Sequence, residues 1–261
     1  MYSVGIDIGS TYAKVIALDS EQRIAYRKVM LTGWNSVSLA GDIMQDLQSE
    51  GIEKEQMYCV ATGYGRGGVT YADKSVTEIT CHAKGAACLF GSGSYTVIDV
   101  GGQDTKIIAL ENGHVKDFIM NDKCAAGTGR FLEVMAGALG LTTDEMCRLS
   151  EKGRGVTINS MCAVFAESEV IGLMGRGTAK EDIAYGIVDS IVNKVKTQCM
   201  RMNGRADSYY LTGGLSNNQV FLYRLSEKIG LPVRSDQNGR FAGALGAAVI
   251  GYQSAVQGGK A

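Results

Sequence analysis

Proline is almost missing from this chain: Pro232 is the only one in 261 residues. Glycine, by contrast, occurs 35 times, so regular elements are expected to be joined by glycine turns that are free to adopt positive φ. Histidine is nearly as scarce as proline. His114 follows Asn112-Gly113, a hairpin turn, and reads as a surface residue. His82 sits beside Cys81 in a helical stretch, where it either lines a cleft or packs as a structural residue. No apolar run approaches the roughly 20 residues needed to cross a bilayer, so no membrane span is expected. Net charge is −1 and lysine and arginine are not clustered, which argues against a nucleic-acid-binding face. The chain runs from Met1-Tyr2-Ser3 straight into a strand pattern, so no signal peptide is expected. Its seven cysteines include no CxxC pair. An odd number without an export signal points to reduced thiols or ligands in the cytoplasm, not to disulfides. A zinc or four-cysteine cluster site built from one chain is poorly supported.

What the chain does have is an internal repeat. Ile6-Asp7-Ile8-Gly9-Ser10-Thr11-Tyr12-Ala13-Lys14-Val15-Ile16-Ala17-Leu18 recurs, position for position, as Ile98-Asp99-Val100-Gly101-Gly102-Gln103-Asp104-Thr105-Lys106-Ile107-Ile108-Ala109-Leu110. Each copy reads as a strand, a tight glycine turn and a second strand. A third glycine turn, Gly213-Gly214, follows the strand pattern at Tyr209–Thr212. The expected class is α/β, with a first domain over 1–95, a second over 96–242, and a small-residue helix in 243–261 packing back on the first. Helices are expected over 38–50, amphipathic by spacing, over 79–89 and after Arg130, with a capped helix start at Thr142-Thr143-Asp144-Glu145, a long helix over 182–202 and another over 219–229. A strand is expected just before Cys162.

Backbone N–H groups at glycine turns bind phosphate oxygens, and glycine permits close approach. One such turn is as readily a plain hairpin. Three together, two of them in-register repeats, favour a polyphosphate gripped by Gly9, Ser10, Thr11 and Lys14, by Gly101, Gly102, Gln103 and Asp104, and by Gly213 and Gly214. Asp7 and Asp99 end strands and suit Mg²⁺, which takes one or two carboxylates plus phosphates and retained waters. Gln103 or Asp104 would orient an attacking water, with Asp7 as the third candidate for a catalytic part. Lys106 matches Lys14 but reads equally as a solvated strand residue.

Of the cysteines, Cys59, Cys147 and Cys199 read as ordinary buried thiols, and Cys81 and Cys88 as core residues sharing a helix face. Cys124 precedes Ala-Ala-Gly-Thr-Gly at a helix start, where the helix dipole favours a thiolate by about 0.3–2 kcal/mol. Cys162 lies in Asn159-Ser-Met-Cys-Ala-Val-Phe-Ala-Glu-Ser-Glu169. Two thiolates do not complete a four-cysteine cluster, but two chains about a twofold axis do. Two merely packed thiols are the other reading.

The segments Asp7-Ile-Gly-Ser-Thr, Asp99-Val-Gly-Gly-Gln-Asp-Thr and Thr212-Gly-Gly resemble the phosphate-1, phosphate-2 and adenosine motifs of the actin-like ATPase and sugar-kinase superfamily. That resemblance implies two ribonuclease-H-like domains with a nucleotide cleft between them. Lys123-Cys-Ala-Ala-Gly-Thr-Gly-Arg-Phe-Leu-Glu133, Ser160-Met-Cys-Ala-Val-Phe-Ala-Glu-Ser-Glu169 and Glu78-Ile-Thr-Cys-His-Ala-Lys-Gly85 further resemble the activators of 2-hydroxyacyl-CoA dehydratases and the ATPase subunits of benzoyl-CoA reductase. Membership would imply ATP/ADP, Mg²⁺ and one 4Fe–4S cluster per homodimer, held by Cys124 and Cys162 of each chain. It would also imply an iron–sulfur acyl-CoA dehydratase or reductase as partner and a ferredoxin or flavodoxin upstream. A sugar kinase of the same fold and an actin-like ATPase without a cluster are the rival expectations.

Overall fold

The computed structural model describes residues 1–123, 125, 127–159, 162–202 and 206–258. These form two units: Met1–Gly93 with Leu110–Val115 and Asn238–Ala261, and Ser94–Ala109 with Lys116–Gln237.

In the first unit the repeat begins a meander. Strands β1 (Tyr2–Ile8), β2 (Tyr12–Leu18) and β3 (Ile24–Leu31) run antiparallel, and β4 (Met57–Thr62) and the short β5 (Lys74–Ser75) add in parallel on the other side of β1. The order is therefore β3-β2-β1-β4-β5. Strand β1 lies at the centre and is buried on both faces, with apolar Val4, Ile6 and Ile8 alternating with Ser3, Gly5 and Asp7. Strand β3 is an edge; its exposed Arg27 and Lys28 give it the charge that natural edges carry. One sheet face is covered by α1 (Ser36–Ser49) through Leu39, Ala40, Ile43 and Leu47. The Asn35 side chain starts that helix by accepting hydrogen bonds from the backbone N–H groups of Val37 and Ser38.

Helices α2 (Glu78–Phe90) and, near the chain end, α8 (Ala242–Gln257) cover the other face. They touch almost backbone to backbone. A Cβ added to Gly246 of α8 would stand 1.8 Å from the Cys81 carbonyl oxygen, and one on Gly85 of α2 would stand 1.9 Å from that of Ala242. The run Ala242-Gly-Ala-Leu-Gly-Ala-Ala is small-residued for this steric reason.

The second unit repeats the plan. Strands β6 (Ser94–Val100), β7 (Thr105–Glu111) and β8 (His114–Asn121) are followed by β9 (Tyr209–Gly213) and β10 (Val233–Arg234), in the order β10-β9-β6-β7-β8. Strand β9 pairs parallel to β6 and β10 parallel to β9. Its helices are α3 (Gly129–Ala138), α4 (Thr143–Ser150), α5 (Ala163–Gly175), α6 (Lys180–Met200) and α7 (Gln219–Ile229). Two five-stranded sheets of one order, each with helices, are the ribonuclease-H-like α/β architecture that the motif resemblance implied. The core of this unit is mostly aliphatic with a few aromatic rings, and Phe131, Leu132, Ile187, Ile191, Phe221 and Leu225 are essentially out of water. Each such side chain contributes about 1.5–3 kcal/mol by burial. Helix α4 opens with a full capping box between Thr142 and Glu145.

One expectation differs. Residues 156–159, shortly before Cys162, form no strand, and Asn159 ties its backbone N–H to Glu169 at 3.2 Å. The segment after Cys162 is a helix, α5, whose face was hidden from periodicity because apolar residues occur on every side. Helix α8 falls within the expected 243–261 stretch apart from its first residue, and Tyr252 and Ala255 continue its contact with the unit. Among the described residues no helix is long and apolar enough to cross a membrane.

The glycine contact gives a paired expectation for chemical unfolding. Gly246→Ala places a methyl group against backbone and should lower stability by about 1–3 kcal/mol or more. Gly137→Ala, at an α3 position with nothing within 4 Å, should raise it by about 0.5–1 kcal/mol. Equal effects at the two positions would contradict the packing described.

Candidate functional site

The two copies of the repeat build the same turn. In the first, the Gly9 N–H donates to the Tyr12 carbonyl at 3.2 Å; in the second, Gly101 donates to Asp104 at 2.9 Å. Each follows the sheet's central strand. The first is fastened from the neighbouring strand end, where the Thr32 hydroxyl donates to the Gly9 carbonyl at 2.8 Å and the Thr32 N–H to that of Thr11 at 3.0 Å. Ser10, Thr11 and Lys14 remain half-buried at this turn. The Lys14 ammonium folds back over it, 3.6 Å from where a Gly9 Cβ would stand. Among the described residues it forms no ion pair.

Asp7 lies opposite Lys14 in the strand register and is 6% exposed. One carboxylate oxygen stands 2.7 Å from the Cβ position of Gly63, and the other 2.6 Å from that of Gly243, in the first turn of α8. The positive end of a helix stabilises a carboxylate there. His82 is buried in the same place, its Nε2 3.1 Å from that Gly243 position. His82 thus faces the Asp7 carboxylate, which the sequence left undecided.

In the second unit the turn is anchored from α3. The Gly129 and Arg130 N–H groups, two of those a helix start leaves without an internal partner, donate to the Gly101 and Gly102 carbonyls, each at 2.8 Å. Gly213 has φ +85 and would drive a Cβ to 2.3 Å from the Val100 carbonyl oxygen, while the Gly214 N–H donates to that oxygen at 3.0 Å. A residue with a side chain fits neither the backbone conformation nor the space. The Gly213-Gly214 turn is thereby locked onto the end of the central strand that carries Gly101. Gln103 is exposed.

Behind this turn lies a charge cluster. The Lys106 ammonium donates to Asp104 Oδ2 at 2.6 Å and stands 3.7 Å from Asp99 Oδ2, while the Thr212 hydroxyl donates to Asp99 Oδ1 at 2.7 Å. Asp99, Asp104 and Lys106 are 2%, 5% and 3% exposed. The reading of Lys106 as a solvated strand residue is therefore wrong: sequence shows that a lysine alternates into a strand face but not that its partners bury it.

Beyond Gly214 an open hollow of about 600 Å³ is lined by Ser216, Asn217, Tyr223, Arg234 and Ser235. A larger one, about 840 Å³, involves Tyr2 and Met57, the first residues of β1 and β4, and so lies at the opposite edge of the first sheet from Gly9. Its chemistry is unconnected with the turns.

The cysteines separate by environment. Burial pushes the thiols of Cys59, Cys81 and Cys199 up to about 12 and that of Cys147 to about 11. These are packing residues, protonated at neutral pH. Cys88 is exposed on α2. Cys124 lies outside the described residues; the helix that follows it begins at Gly129. Cys162 is exposed and free, in the capping position of α5. On that helix Val164, Phe165, Ile171 and Met174 are all exposed. Among the described residues no group of three or more His, Cys, Asp or Glu side chains is placed to hold a metal ion.

Known proteins share this architecture over the whole chain. The (R)-2-hydroxyglutaryl-CoA dehydratase activating ATPase of Acidaminococcus fermentans is 40% identical over 98% of this chain and 99% of its own. The activator of lactoyl-CoA dehydratase of Anaerotignum propionicum is 40% identical, again over 98% and 99%. The structure of the activator of 2-hydroxyisocaproyl-CoA dehydratase from Clostridium difficile, with bound ADPNP, superposes with a TM-score of 0.91 at 34% identity, covering 100% of this chain and 97% of that one. Residues 4–251 match the family model itself, and the chain belongs to the BadF/BadG/BcrA/BcrD ATPase family.

Proposed function

We propose that this protein is an ATP-driven electron donor. It binds and hydrolyses Mg·ATP, and couples hydrolysis to delivery of a low-potential electron to an iron–sulfur acyl-CoA dehydratase or reductase. The reading includes a cytoplasmic, oxygen-sensitive homodimer sharing one 4Fe–4S cluster, and a reduced ferredoxin or flavodoxin as the source of the electron. The observation that carries it is the duplicated turn: two glycine turns of one geometry, each following a strand that ends in a buried aspartate. The names of the family relatives, as activators of dehydratases and an activating ATPase, support the partner class.

Within this reading the N–H groups of the Gly9 and Gly101 turns take phosphate oxygens, joined by the Ser10 and Thr11 hydroxyls and the Lys14 ammonium. Asp7 and Asp99 fit Mg²⁺: they are buried carboxylates near strand ends, one oxygen of Asp99 fixed by the Thr212 hydroxyl, suited to a cation that keeps most of its waters. Magnesium would supply charge neutralisation of the phosphates. The hollow beyond Gly214 suits the nucleoside. Gln103, exposed at the turn, orients the attacking water; Asp104 has the weaker claim, because its carboxylate already accepts the Lys106 ammonium.

Cys162 fits a cluster ligand in part. It is an exposed thiol at a helix start, where a negative ligand set is favoured. The apolar stripe of Val164, Phe165 and Ile171 next to it suits a second copy of the same helix about a twofold axis. A 4Fe–4S cluster would supply one-electron chemistry whose potential depends on exposure and hydrogen bonding. The domains assigned from sequence, 1–95 and 96–242, divide the labour, with the nucleotide turns in both and the two thiols in the second.

Two measurements test this. Lys14→Met should weaken ATP binding, read by calorimetry, by on the order of tenfold to a hundredfold with the unfolding midpoint unchanged, as loss of a charged hydrogen bond implies; undiminished affinity would remove Lys14 from the site. Anoxically reconstituted wild type should hold about four irons per dimer and Cys162→Ala none. A full iron content in Cys162→Ala would overturn the cluster assignment while leaving ATP binding standing.

A further inference from the structure

The repeat contains a difference that bears on how the site is charged. Lys14 and Lys106 occupy the same place in the two copies, as do Gly9 and Gly101, and the turn bonds are alike. Where the second copy has Asp104, however, the first has Tyr12. In the first turn the lysine is half-buried, lies over the glycine and forms no ion pair among the described residues. In the second, the lysine is out of water and donates to Asp104, whose other oxygen lies 2.3 Å from the Cβ position of Gly101. The Asp104 carboxylate thus stands beneath the turn that receives phosphate, with one oxygen toward the glycine and one toward the ammonium.

We propose that Lys106 is a positioning residue, and that its task is to neutralise Asp104 so that the Gly101–Gln103 turn presents N–H groups to an anion without a bare carboxylate behind them. Lys14 alone of the pair is the phosphate cation. This inference rests on the ATP reading given above. Physically, an uncompensated carboxylate within several ångströms of a polyphosphate in a medium of effective dielectric about 20 opposes binding by on the order of a tenfold factor or more. A buried ion pair replaced as a whole by neutral groups of similar shape is close to neutral in stability, whereas removal of one partner is strongly destabilising. Asp99 has a second anchor in the Thr212 hydroxyl and does not depend on Lys106 alone.

A double-mutant cycle on Lys106 and Asp104 tests this, reading ATP affinity by calorimetry in EDTA and the thermal unfolding midpoint in parallel. Lys106→Met should weaken ATP binding by on the order of tenfold or more and lower the unfolding midpoint. Asp104→Asn added to Lys106→Met should bring the affinity back to within about threefold of wild type and raise the midpoint again. A double variant that binds as poorly as Lys106→Met would overturn the proposal and make the ammonium a phosphate ligand. Wild-type affinity in folded Lys106→Met would overturn it in the other direction and leave Lys106 a packing residue. Should Lys106→Met not fold, the double variant decides by itself, since it binds ATP only if the ammonium is dispensable. If wild type itself binds no ATP, the proposed function fails, an outcome distinct from either failure of the cycle.

Discussion

Two carboxylates held out of water at the ends of central strands set the terms for everything else in this protein. Asp7 and Asp99 are each buried at the position where a strand gives way to a glycine turn. An ionised group in that position is tolerated only where dipoles, hydrogen bonds or cations meet it. The fold supplies some of this compensation. Asp7 has the start of α8 and His82; Asp99 has the Thr212 hydroxyl and, at longer range, Lys106. The divalent cation and phosphates proposed above would add to this compensation.

That demand explains features far from the turns. Helix α8 brings its first turn to Asp7 only because Gly246 and Gly85 let it lie nearly backbone to backbone with α2. In the second unit, Gly213 docks the end of β9 on Val100, and the start of α3 bonds the carbonyls of Gly101 and Gly102. Since α3 follows the Cys124 segment directly in sequence, movement of the Gly101 turn and movement of that helix are mechanically linked by two hydrogen bonds. Such a link is the kind of element on which two sites act in common, and it gives the ATP-to-electron coupling proposed above a physical route.

Much of this was legible in the sequence, for identifiable reasons. The repeat of Ile6–Leu18 as Ile98–Leu110 is an in-register copy, so one strand–turn–strand reading served twice, and the two sheets share one strand order around it. Helices with one apolar face, such as α1 and α7, announced themselves by spacing. Helix α5 did not, because Val164, Phe165, Ile171 and Met174 leave no polar face to contrast with a buried one. Lys106 was misjudged for a related reason. Its partner Asp104 is two residues away, at the end of the turn from which β7 starts, and only the tertiary fold takes both groups out of water. The nearness of His82 to Asp7 is likewise tertiary: α2, α8 and β1 meet there from three distant stretches of chain.

The claim that these aspartates exist to receive a metal-bound nucleotide is tested most directly by calorimetric titration of ADP into wild type, Asp7→Asn and Asp99→Asn, with Mg²⁺ and with EDTA. On this account Mg²⁺ tightens ADP binding to wild type, and that enhancement is lost in both variants while metal-free binding survives. An undiminished Mg²⁺ enhancement in both variants would contradict it.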